Sequence, residues 1–198
     1  MNEQRPSAEV REIIRQWHIP LSRDDMTLRQ AHAELAQYGL KQADVPLIVQ
    51  LVENPRYDIP GLDIFHGATG LQAHDHIHVL LGRGLLPKDE AFVIGFTMGS
   101  TDQVSQTEEK LYGFFSKYFY PESYRFGDED YRVFQDAVRL GFVSDCQPLS
   151  AADLDALVDL PLAEARRRLG LEVELLRAYY AIEKKRYPNS FESQRLLA

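Results

Sequence analysis

Along most of the chain, apolar residues recur three and four positions apart, the period of an amphipathic helix rather than the alternation of a strand. Leu28, Ala31, Leu35 and Tyr38 follow this spacing behind Thr27 and Gln30, which form a capping box, and Gly39 supplies a stop. Ser100 with Gln103 suggests a second capping box, opening a helix in which Leu111, Phe114, Phe115, Tyr118 and Phe119 share a face before Pro121. Further helices are predicted over 128–140 and 150–160, then a final pair whose first member opens at Pro161 and closes at Gly170. Residues 54–70, rich in proline and glycine, read as a long loop. The expected fold is all-α: one helical bundle over residues 1–198, a length that suits a single core.

The segment from Gln72 to Gly82 also has helical character, and a second helix is predicted from about Lys88. Gly82, Gly84 and Pro87 must break the chain between them, which makes an αα-hairpin. Four apart on the first helix, His74 and His78 point the same way, and Asp75 lies on their flank, three residues before His78. Glu90 falls in the first turn of the second helix, where the helix dipole favours an ionised carboxylate. Folding the hairpin brings it to the other three.

Two imidazoles and two carboxylates suit one divalent ion, with zinc the first expectation and ferrous iron or manganese next. The bland alternative is four unrelated surface or packing residues. A chance match to the whole spaced set arises in on the order of one chain in several thousand, so the four are read together. For His18, His32 and His66 the bland reading is preferred, and His76 points away from the pair on a helical wheel, as a packing residue would.

Composition narrows the function. Hydrophobic residues make up 44% and charged residues 26% of the chain, ordinary globular values. A net charge of -8 repels a phosphate backbone, so nucleic acid is not an expected partner. A run of Arg166, Arg167 and Arg168 in a segment resembling a helix-turn-helix would be its only foothold, and Glu164, Glu172 and Glu174 dilute it. Cys146 is the one cysteine, which excludes an intramolecular disulfide and a thiolate cluster. The start of the chain has neither a signal peptide nor a presequence pattern, and the longest apolar runs fall short of the roughly 20 residues that span a bilayer. The expected location is cytoplasmic, with at most peripheral contact at the inner membrane surface.

The order His74-Asp75, two residues, His78, eleven residues, Glu90 resembles the metal motif of the coenzyme Q biosynthesis protein 4 family. Residues 62–198 carry the resemblance, extending through Leu160-Pro161-Leu162 and Arg166 to Leu171, whereas residues 1–61 are weakly recognised. The sequence departs from the family at His76-Ile77, where aromatic residues are common, and at Asp89, where glycine is common. The resemblance implies a helical protein of ubiquinone synthesis holding a divalent metal, with a polyprenylated aromatic precursor or another isoprenoid lipid as ligand. Other quinone-biosynthesis proteins and a second copy of the chain are the implied partners. It further implies metal-dependent oxidative decarboxylation, in which a ring carboxyl group is replaced by hydroxyl.

Two alternatives use the same residues. A non-catalytic lipid-binding scaffold would use the metal only to fasten the hairpin. A metal phosphohydrolase of the HD type would use His74-Asp75 as its central doublet, with His32 upstream and Asp128 or Asp136 downstream, and would omit Glu90. Aromatic residues crowd the segment from Tyr112 to Phe134; they suit the wall of a prenyl tunnel, and equally a core helix with an ordinary dimer interface.

Overall fold

A computed structural model of the protein describes residue 12 and residues 15–36, 71–101 and 126–197. Among these the architecture is all-α: seven α-helices, two 3-10 turns and no strand. In chain order the helices are α1 (Leu28–Ala36), α2 (Leu71–Leu81), α3 (Pro87–Gly99), α4 (Asp128–Val143), α5 (Leu162–Leu169), α6 (Val173–Arg186) and α7 (Phe191–Arg195). None of them is long and apolar enough to cross a membrane.

Helix α1 begins as its sequence dictates. The Thr27 amide donates to Gln30 Oε1 at 2.9 Å and the Gln30 amide donates to Thr27 Oγ1 at 3.2 Å, a reciprocal box that satisfies two otherwise orphaned donors. Just before it, the backbone is laced to the C-terminal third of the chain. Leu162 donates to Met26 O, Ala163 to Asp24 O and Arg29 to Val158 O. Leu28 and Ala31 then point into the core.

Helix α3 is apolar on every side because two clusters flank it. Phe92 and Phe96 face a large core built with Ile77, Leu80, Leu162, Leu176 and Tyr180, while Ala91 and Met98 face a smaller one with Phe126, Phe134 and Val138 of the α4 region. Each fully buried side chain of this size contributes roughly 1.5–3 kcal/mol by leaving water. Helices α3 and α4 cross in backbone contact: a Cβ at Gly99 would strike the Val138 carbonyl, and one at Gly141 the Phe96 carbonyl. Substituting either glycine would force the helices apart.

One expectation fails here. The helix predicted over 150–160 is replaced by 3-10 turns at Leu149–Ala151 and Asp155–Leu157. Leu149, Leu154 and Leu157 all bury, yet the five-residue step from 149 to 154 turns away from one helical face. Asp153 also takes the Ala156 amide at 3.2 Å, a local bond that competes with helix propagation. Ser100 opens no helix within the described residues but follows the end of α3, where its hydroxyl donates to Thr97 O and accepts from the Leu149 amide. Gln103, residues 37–70 and 102–125 lie outside the described residues, and with them the rest of that capping box, Gly39, His66, the predicted long loop and most of the aromatic segment. Of the aromatic residues that are described, Phe126 and Phe134 are buried core residues.

Candidate metal centre

Helix α2 delivers two imidazoles to one face. The His74 and His78 rings lie 4.7 Å apart edge to face, and their Nε2 atoms are 3.0 Å apart. The chain then reverses in the 82–86 turn, where Gly82 takes a positive φ of 67°, open to glycine at little steric cost. Pro87 starts α3, and the first turn places Glu90 opposite the histidines: Oε2 is 3.0 Å from His74 Nε2 and Oε1 is 3.2 Å from His78 Nε2. One ligand atom from each of the three lies within 4.8 Å of the others.

The histidine tautomer prepares the site. His78 Nδ1 lies 2.6 Å from the Gly84 carbonyl oxygen, which only accepts, so Nδ1 carries a proton, and in the neutral form of the ring Nε2 is the nitrogen that can bind an ion. Burial alone would push the Glu90 carboxyl up, but His78 and His74 together outweigh it and hold the group well below the ordinary carboxylate range. Among the described residues no lysine or arginine pairs with Glu90. Three lone-pair atoms at such separations need a positive centre among them, either a proton on His74 Nε2 or a metal ion. Two nitrogens and a carboxylate, with room left in the coordination shell, fit zinc or ferrous iron and suit calcium poorly.

Asp75 does not join this group. Its Oδ2 lies 3.5 Å from His32 Nε2 on α1, and burial pushes its carboxyl up against the opposing pull of His74 and His78. Of the four predicted ligands, then, the structure gathers His74, His78 and Glu90 and turns Asp75 toward His32. His76 is buried, its ring edge-on to His32 at 5.2 Å, and burial pushes its imidazole down. Asp136, offered to the hydrolase reading, is held by Arg186 at 2.5 Å.

The end of α2 is clamped by side chains from distant parts of the chain. Arg166 donates to Leu80 O at 3.0 Å and Val79 O at 3.3 Å, Tyr180 Oη to Leu81 O at 2.6 Å, and His18 Nε2 to Gly82 O at 3.0 Å. Carbonyls that a helix end leaves orphaned are thereby satisfied. Arg166 is buried and so cannot be a phosphate contact, while Arg167 and Arg168 both pair with Glu164. Burial, and then Arg195, drives the His18 imidazole down to about 4.

Sequence reasoning missed a second charged cluster beside the first. Arg83, at the turn, is fully buried between Phe92 and Tyr180, 3.9 and 4.3 Å from their ring centres, and makes two bonds to Glu183, at 3.1 and 2.6 Å. Asp89, next to Glu90, accepts the Leu86 amide at 3.2 Å and pairs with Arg195. A signal was present in the sequence, since Arg83 stands between two glycines and Glu183 in a run with Tyr179, Tyr180 and Ile182, but nothing local says that they meet.

Comparison of the chain with protein-family models, curated proteins and solved structures finds no match. The resemblance to the coenzyme Q biosynthesis protein 4 family thus remains an expectation from the sequence; of the four motif residues, His74, His78 and Glu90 converge in space.

Proposed function

We propose that the protein is a metal-dependent enzyme of prenylquinone synthesis, which replaces the ring carboxyl group of a prenylated benzoate precursor with hydroxyl. The observation that carries this reading is the convergence of two imidazoles and one carboxylate at a helix corner. That set, with positions left over for a substrate oxygen, is the type used by catalytic zinc and by non-haem ferrous iron. The spaced motif supplies the substrate class, and zinc or ferrous iron is the proposed ion.

When bound there, a divalent ion supplies Lewis acidity toward a carboxylate or ring oxygen. The chain's own residues fix the direction of approach. His78 is wholly buried and closes the back of the site, whereas the side chains of His74 and Glu90 keep 17% and 26% of their surface open, so a ligand reaches the site from their side. His78 Nδ1 keeps its proton on Gly84 O throughout. Apolar Phe92 and Phe96 on the same helix keep water from the interior side. Loss of carbon dioxide with gain of hydroxyl needs an external oxidant, of which dioxygen is the simplest.

The test combines elemental analysis of purified protein with quinone precursors in a deletion strain. One equivalent of metal, lost in Glu90→Ala, together with an accumulating carboxylated precursor, supports the reading. A metal-free protein that fully restores quinone synthesis ends it. Retention of a prenylated precursor without conversion would instead favour the scaffold.

The contact of His32 with Asp75 favours a second reading, an HD-type phosphohydrolase built on His32, His74 and Asp75. In that case His32→Ala removes the metal, Glu90→Ala does not, and a phosphate ester is hydrolysed.

A further inference from the structure

The corner carrying the proposed ligands is covered by a residue from the far end of the chain. Helix α7 is anchored by buried Leu196 and by Ser193, whose hydroxyl donates to Glu183 Oε1 at 2.9 Å. From this anchor Arg195 reaches back. Its Nη1 donates to Arg15 O at 2.6 Å, its Nη2 donates to Asp89 Oδ2, and its guanidinium lies 5.3 Å from the Phe191 ring centre.

The same guanidinium lies directly on Gly84. A Cβ at that position would collide with Nη2 and come within 2.7 Å of both Arg195 Cζ and Trp17 O. Gly84 thus lies between the arginine and the histidine whose Nδ1 its carbonyl receives. Asp89, which Arg195 grips on the other side of the turn, immediately precedes Glu90 and fixes the start of α3 through the Leu86 amide. One side chain therefore packs on Gly84, whose carbonyl holds His78, and bonds the Asp89 carboxylate, which fixes the start of the helix that carries Glu90.

We infer that Arg195 is a positioning residue for the metal centre: by covering Gly84 and gripping Asp89, it holds the carbonyl that selects the His78 tautomer with a bare Nε2. This rests on the proposed metal site and adds a control element to it. Without the guanidinium, Gly84 can tilt away from His78, the ring can take its proton on Nε2, and a ligand is lost although every ligand residue remains.

The test uses the full chain, with zinc as probe, in wild type, Arg195→Ala and Arg195→Lys. Zinc affinity is measured by competition with a chromophoric chelator, melting temperature is followed in parallel, and the His78 ring nitrogens are observed by 15N NMR in the metal-free protein. Arg195→Ala is expected to weaken zinc binding roughly 10- to 100-fold, as loss of a residue that orients a ligand does, and to shift the His78 signals toward the Nε2-protonated tautomer. Arg195→Lys keeps a cation beside Asp89, is expected to fold, and should fall between the two in both readouts. Unchanged zinc affinity in Arg195→Ala and Arg195→Lys, or weaker binding with unmoved His78 signals, overturns the inference and leaves the metal site standing. A wild-type protein that binds no zinc or ferrous iron overturns the metal reading itself.

Discussion

Two charged clusters lie on either side of the 82–86 turn, and they are balanced differently. On one side Arg83 and Arg195 face Glu183 and Asp89, cation for anion, with Arg83, Glu183 and Asp89 wholly buried. On the other side Glu90 meets two imidazoles, one of them with its proton already committed to a backbone carbonyl. The first cluster balances its charges with protein groups alone, although Arg83 Nε, Asp89 Oδ1 and Arg195 Nε are buried without hydrogen-bond partners among the described residues. The second offers lone pairs and takes its positive charge from a proton or from an ion in solution. A folded chain can bury an ion pair as an internal fastening, but it gathers like-natured acceptors at a half-open surface at a cost in repulsion. That asymmetry is why the second cluster, and not the first, is the proposed site of function.

The sharpest test of the closed cluster is Glu183→Ala, which strands Arg83 in the core. A loss of about 3–5 kcal/mol is expected in chemical denaturation, seen as a fall in melting temperature of roughly 10 °C. Glu90→Gln should behave oppositely, weakening zinc binding roughly 100-fold or more in a competition titration while changing the metal-free melting temperature far less than Glu183→Ala does. Equal destabilisation by the two variants would erase the distinction. Withdrawing the metal with a chelator, from protein held in free metal at 100 times the dissociation constant, should remove about 2.7 kcal/mol of stability. No change in melting on chelation would mean that the open cluster holds nothing.

Acid probes the clamp between the clusters. His18 takes a proton at about 6.5 when unfolded but only at about 4 in the native chain. Between those values the unfolded state binds the proton that the native state refuses, so stability is full above the upper value and falls as the pH drops through the window. His18→Gln, neutral throughout and able to donate to Gly82 O, should flatten that part of a melting-temperature profile against pH. The smallest effect, about 1 kcal/mol, is expected for Thr27→Ala, which removes one half of the α1 capping box. It should leave zinc affinity unchanged, a control for stability alone.

What could be read from the sequence was local. His74 and His78 are one helical turn apart, and the glycines and proline that break the chain bring Glu90 round within a few residues, so spacing and punctuation sufficed to name all three. Asp75 was assigned by the same wheel, but a carboxylate on the flank of a helix has a choice of neighbours. Here α1 brings His32 to it, which no spacing around residue 75 could show. The partners of Arg83 and Arg166 lie on helices far along the chain, and their burial appears only when those helices pack. Between 150 and 160 the composition favoured a helix, whereas three leucines that all had to reach the core, and an aspartate that bonds locally, imposed turns.

The ligands lie within seventeen residues of sequence, His74 to Glu90, while Arg166, Tyr180, Glu183 and Arg195 that hold their corner all come later. A ribosome therefore finishes the ligands about a hundred residues before the last of their restraints. If the corner binds an ion as proposed, the nascent chain would sample it without retaining it, and tight retention would arrive with helix α7. Chains stalled before residue 166 should exchange zinc rapidly, in contrast to released protein; equal exchange rates would show that the corner is self-sufficient.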